Sequence, residues 1–148
     1  SRGPRTFPVQ LPLHSAFHTS LLAETSARAK KELSLRFQPP RVPLIDGRGH
    51  VFRPRWADPA ALEDYTLGQQ VFATYDYTAA LKSALHHTGA ELVVILGPGN
   101  SLGAPTAQVL VADNWGGLGS KGQFIEAQES EPTLLSFGLE AQRARLTQ

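Results

Sequence analysis

The chain has 148 residues, 41% of them hydrophobic and 18% charged, which suits one soluble domain with a real core. A formal net charge of +1 gives no field to draw nucleic acid or an anionic membrane, and no run of about 18 apolar residues is present to span a bilayer. Cysteine is absent, which removes disulfides, thiol nucleophiles and cysteine-bound metals together and fits a cytoplasmic protein.

Thr6–Leu13 is apolar and extended in character, with Pro8 and Pro12 suited to an edge or a strand end. Thr19 and Ser20 then offer N-cap hydroxyls to a helix over Leu21–Leu33, a stretch rich in Ala, Glu, Lys and Arg in which Leu22, Ala29 and Leu33 share one face. Pro39-Pro40 ends that unit. Val42–Ile45 is a short strand candidate, and Asp46-Gly47 signals a turn. Asp58-Pro59 starts a helix through Leu62 and Tyr65, an Asp cap followed by Pro at the first helical position. Tyr77, Ala80, Leu81, Ala84 and Leu85 follow the helical period, and Gly89 stands where a C-terminal glycine belongs. Glu91–Leu96 reads as a central parallel strand covered on both faces. Gly97-Pro98-Gly99 is a tight turn, Pro105–Ala112 a helix, Asn114–Gly122 a glycine-rich loop, and Leu139–Leu146 helical again. Strands alternate with helices, so the expected class is α/β, with no repeat or linker dividing residues 1–148.

Five histidines carry the titratable chemistry near neutral pH: His14, His18, His50, His86 and His87. His86 and His87 close a helix, where a cation suits the dipole, and need no further role. His50 lies in a turn-rich segment. No pair has carboxylate company at metal-ligand spacing, so no metal site is expected. His18 differs by position, at a strand-to-helix junction where the backbone can hold a ring at the rim of a sheet. A general base needs such a fixed ring, reach to a nucleophile and an acceptor that selects its tautomer.

A second signal is Gly99-Asn100-Ser101-Leu102-Gly103, which matches G-x-S-x-G after a strand and before a helix, the setting of a nucleophile elbow. The α/β-hydrolase order runs Ser, acid, His, and no histidine follows Ser101, so this would need a His18-first arrangement. The plainer account of Ser101 is a turn residue helping to cap the next helix. The same glycine-rich loop lacks the GxxxxGK[ST] pattern of a phosphate cradle.

Three segments in order resemble malonyl-CoA:acyl carrier protein transacylases and the acyltransferase domains of polyketide synthases. They are LPLHSAFHTSLL (11–22), YTLGQQVFATYDYTAAL (65–81) and VVILGPGNSLG (93–103). The resemblance implies the C-terminal part of an acyltransferase domain with an α/β-hydrolase-like parallel sheet flanked by helices. It implies that His18 is the base for a serine nucleophile. Gln70 matches the family's glutamine whose main-chain carbonyl accepts the histidine's other N–H, fixing the tautomer without adding charge. Ser15-Ala16-Phe17-His18 keeps the last three residues of the His-Ala-Phe-His run found in malonyl-selective polyketide domains. Ala16 and Phe17 are thus implied at the acyl pocket, where the bulk of Phe17 disfavours an α-methyl branch. No cofactor is implied. The substrate is malonyl-CoA, the acceptor is the phosphopantetheine thiol of an acyl carrier protein, and neither nucleic acid nor membrane is a partner.

The family's nucleophile motif, its oxyanion-hole glutamine and its carboxylate-binding arginine lie upstream of the histidine, beyond residue 1. Methionine is absent from the sequence, so processing, proteolysis, truncation or simple removal of an initiator residue is expected to have made this N-terminus. The missing N-terminal portion of the domain is therefore an expected partner, as a second chain or as sequence removed from this one. The family's Pro-Val-x-Trp is replaced here by Thr74-Tyr75-Asp76-Tyr77, and residues 114–148 receive no role. The leading expectation is one part of a Ser-His ping-pong acyltransferase, inert alone. The alternatives are an inactive acyltransferase-like binding domain and a serine hydrolase using Ser101.

Overall fold

Local side-chain caps start three of the helices in the computed structural model, which describes residues 15–147. The extended run expected over Thr6–Leu13, and His14, lie outside those residues. The architecture mixes helices with two-stranded sheets, α/β at a coarse level, and divides into two compact units.

The first unit comprises residues 15–38 and Asp58–Tyr75. A short 3-10 turn, Ser20–Leu22, leads into α1 (Ala23–Glu32). Thr19 occupies the cap position, but its hydroxyl donates to the Ala16 carbonyl (2.7 Å) and accepts nothing from the helix. The expected face is the one that packs: Leu22 and Ala29 are half-buried on it, and Ser26 lies between them. Leu33 remains 46% exposed, and the buried α1 residue is Ser26. Its Oγ donates to the Leu67 carbonyl at 2.6 Å.

α2 (Pro59–Asp64) begins as expected, with the Asp58 carboxylate accepting from the Ala60 N–H. It runs into a π turn, Tyr65–Gln69, and then α3 (Gln70–Phe72). The wide turn buries Tyr65, Leu67 and Gly68 against α1. Such bulges spoil the regular i→i−4 ladder, which explains why a Leu67 carbonyl is available to a distant serine. Lys30 pairs with Asp64 across the same surface.

The second unit comprises Pro39–Ala57 and residues 76–147. β1 (Leu44–Ile45) and β2 (Val51–Phe52) form an antiparallel hairpin. The hairpin turn is organised by Asp46, whose side chain is 1% exposed. Its carboxylate accepts from the backbone N–H groups of Arg48 (2.8 Å) and His50 (2.9 Å) and from the Arg48 guanidinium. Burial pushes the Asp46 carboxyl up, but these hydrogen bonds and the guanidinium charge outweigh it and hold the group below the usual carboxylate range.

α4 (Tyr77–Thr88) takes an Asp76 cap on the Ala79 N–H and ends at Gly89 with φ 62°, where a side chain would be strained. It is fastened to the hairpin by Asp76 N–H to the Gly47 carbonyl (2.8 Å) and Ser83 Oγ to the Gly49 carbonyl (2.7 Å).

β3 (Val93–Ile95) pairs in parallel with β4 (Leu134–Ser136). Between them lie α5 (Gly103–Ala112), a 3-10 turn at Trp115–Gly117 and α6 (Lys121–Ser130), and α7 (Glu140–Leu146) follows β4. The core joins Leu81 and Leu85 of α4, Ile95, Val109, Leu110 and Leu134, with Leu110 fully buried. Tyr77 Oη and the buried Thr106 Oγ1 meet at 2.7 Å across the α4–α5 contact, so the polar groups at this packed junction are satisfied.

Two expectations change here. The glycine-rich loop ends at Ser120, whose hydroxyl caps α6 through the Gln123 N–H. The apolar run Glu91–Leu96 is also not covered throughout, since Leu96 is 79% exposed. Among the described residues β3 has one strand partner. The far edge of β4 is closed by side chains instead of a strand. Gln128 bonds both the N–H and the C=O of Leu134, and Gln142 Oε1 accepts from the Ser136 N–H. Among the described residues, the edge of β3 is the one this β3–β4 pair leaves for sheet extension. Val93 N–H and Ile95 C=O bond residues flanking β4, so the Val94 backbone is directed to the opposite edge.

Candidate functional site

Ser15–Thr19 makes a tight turn before the first helix, and His18 holds left-handed backbone there, with φ 63°. That conformation is costly for a residue with a side chain and persists only where surroundings enforce it. The enforcing contact is the His18 backbone N–H, which donates to the Val71 carbonyl of α3 at 2.8 Å. The His18 ring is exposed and tilts over Tyr75, with centroids 5.3 Å apart, and the Phe17 ring centroid lies 6.4 Å from it. Phe17 is 57% exposed and Ala16 half-buried.

Gln70 opens α3 and is itself exposed. Its backbone N–H donates to the Tyr65 carbonyl, closing the π turn. The structure thus brings His18, Phe17 and the 70–75 segment together. Their hydrogen bond reaches the carbonyl next to Gln70 and starts from the His18 backbone. Among the described residues none runs from the His18 ring to Gln70. An exposed imidazole packed on one aromatic face can take a proton from a hydroxyl brought to it, and its tautomer is set by whatever acceptor its second nitrogen finds.

Ser101 belongs to the second unit, whereas His18 belongs to the first. It sits exposed in the turn before α5, and Leu102, not Ser101, occupies the cap position, without a side-chain cap bond. Among the described residues no hydrogen bond joins Ser101 to a histidine, and no three His, Asp or Glu side chains gather as metal ligands. His86 and His87 end α4. His86 Nε2 lies 2.8 Å from Asp113 Oδ2, and Lys82 Nζ lies 3.3 Å from Asp113 Oδ1.

Sequence reading passed over one cluster. Arg53, Trp56 and His87 line a cavity of about 360 Å³ beside the hairpin. The signal was an exposed-type run, Arg53-Pro54-Arg55-Trp56, in which an indole stands among cations.

No family model matches this chain, and neither a curated protein nor a solved structure matches it.

Proposed function

We propose that this chain is the histidine-bearing part of a cytoplasmic acyltransferase that moves a malonyl group from coenzyme A to the phosphopantetheine thiol of an acyl carrier protein. The observation that carries the reading is the hydrogen bond from the His18 backbone to the Val71 carbonyl. It joins two segments, far apart in sequence, that independently resemble the base and base-orienting segments of one enzyme family. The left-handed turn and the exposed ring add support, since a base must be both held and reachable.

In this reading a serine from the N-terminal portion of the domain, in the same or a separate chain, attacks the malonyl thioester carbonyl as His18 takes the hydroxyl proton. Collapse of the tetrahedral adduct expels the coenzyme A thiolate, which receives that proton. The phosphopantetheine thiol then gives its proton to His18, attacks the acyl-serine, and the proton returns to the serine. The ring turns from Tyr75 toward the Gln70 carbonyl to fix its tautomer, and Phe17 narrows the acyl site. The β3–β4 pair is then part of a larger α/β-hydrolase-like sheet whose other strands join at the open edge of β3.

The test is acid-stable labelling by malonyl-CoA of the protein carrying its upstream sequence. Label on an upstream serine, lost in His18→Ala, is the expected result. An upstream sequence without Gly-His-Ser-x-Gly sinks the reading. Label on Ser101 would establish the hydrolase alternative, and no label with intact binding of carrier protein would establish an inactive binding domain.

A further inference from the structure

The cavity beside the hairpin is lined by Pro43, Val51, Arg53, Pro54, Trp56 and His87. None of these is acidic. The nearby carboxylate of the same hairpin, Asp46, is buried and occupied by Arg48 and two backbone N–H groups. Among the described residues no carboxylate pairs with Arg53. Trp56 is 88% exposed, the most exposed large apolar side chain among the described residues. An indole so placed leaves a wide apolar face in water, which favours a flat partner.

The turn that presents it is held firmly. Arg55 takes left-handed backbone (φ 65°) and donates its N–H to the Pro40 carbonyl, while the N–H groups of Trp56 and Ala57 both donate to the Arg53 carbonyl. His87 comes from α4, which Ser83 ties to the hairpin through the Gly49 carbonyl. His87 Nδ1 faces the Ser83 carbonyl at 2.9 Å and so carries its proton there, leaving Nε2 for a ligand. A guanidinium forks onto phosphate oxygens, and an indole face stacks on a heterocyclic base. The volume suits a small molecule better than a protein surface.

We propose that Trp56, Arg53 and His87 form a binding site for a nucleoside phosphate, the base stacking on Trp56 and the phosphate held by Arg53. The proposal does not depend on the acyl-transfer reading. Two sources share this chemistry, a free nucleotide and the nucleotide end of a coenzyme A thioester.

The test is titration of the full chain with ADP, adenosine and coenzyme A, followed by tryptophan fluorescence and by calorimetry. The sequence has two tryptophans, and Trp115 packs on the core, so Trp56→Phe assigns the signal. ADP should quench saturably with half-saturation below about 1 mM, adenosine should bind at least about tenfold more weakly, and Arg53→Gln should lose about tenfold for ADP but not for adenosine. Trp56→Ala should abolish calorimetric binding of ADP. Both substitutions alter exposed side chains, and thermal melting checks that the fold survives. Coenzyme A binding more tightly than ADP would mark the thioester as the source, and equal binding a free nucleotide. Absence of saturation by ADP and coenzyme A, equal affinity for adenosine and ADP, or an Arg53→Gln protein that binds ADP like the parent would overturn the proposal.

Discussion

Two turns of this molecule use the same unusual device and anchor it differently. At His18 and at Arg55 a residue with a side chain adopts left-handed backbone, and each turn sets an aromatic ring in solvent. The His18 turn is held by one backbone bond to another helix, at Val71. The Arg55 turn is held by three backbone bonds to neighbours in its own segment, on a hairpin whose other end is organised by Asp46. The lesson is one of dependence. A ring presented from within its own segment needs little else, whereas His18 is only as well placed as the π turn and α3 that supply its acceptor.

The largest expected effect is on the first turn. His18→Ala should lower malonyl transfer about 10²–10⁴-fold in the protein carrying its upstream sequence, with the thermal midpoint nearly unchanged because the ring is exposed. A stability loss matching the activity loss would mean that the turn is structural. Next, Asp46→Ala removes the acceptor of two part-buried N–H groups and should cost about 1–3 kcal/mol in urea unfolding.

The same carboxyl has a lowered folded-state value, so its stabilisation is present above the ordinary value of 3.8 and is lost as pH falls below it. Acid titration of stability should therefore steepen below that pH in the parent and flatten in Asp46→Asn.

Arg55→Gly tests the cost of the second turn. Left-handed strain of about 1–2 kcal/mol is relieved, while added chain entropy returns about 0.5–1 kcal/mol, so a net gain of up to about 1 kcal/mol is expected. The smallest effect belongs to Gln70→Ala. Its role in the proposed mechanism is a main-chain carbonyl and its side chain is exposed, so transfer should change less than about twofold. A large loss would move the function to the Gln70 amide.

Elements defined by adjacent residues were legible. Asp58-Pro59 started α2, Gly89 ended α4, and the period of Tyr77–Leu85 located the core face, with Leu81 and Leu85 buried. What escaped depended on distant partners. Ser26 shares the face of Leu22, Ala29 and Leu33, but the carbonyl that satisfies its hydroxyl comes from a π turn far along the chain. β4 is three residues long and has no period to detect, since its pairing is with β3 and its other edge is closed by Gln128 and Gln142. α6 carries few apolar residues and begins inside the glycine-rich stretch 114–122, with Ser120 as its local mark. At the candidate site it was the family resemblance of residues 11–22 and 65–81 that implied a base at His18 and an orienting carbonyl at Gln70. The backbone conformation of His18 and the Tyr75 face under its ring could not be read from spacing, because both come from the bond to Val71.

The two units interleave along the chain. Residues 39–57 belong to the second, and the stretches on either side belong to the first. No single cut can therefore release either unit whole. During synthesis the hairpin leaves the ribosome before α4, the helix it is fastened to, has been made. It must wait through the translation of α2 and α3 with its Gly47 and Gly49 carbonyls still bonded to water. Chains that stop near residue 57 or begin near residue 58 should accordingly be aggregation-prone fragments, whereas deletions confined to one surface turn should not.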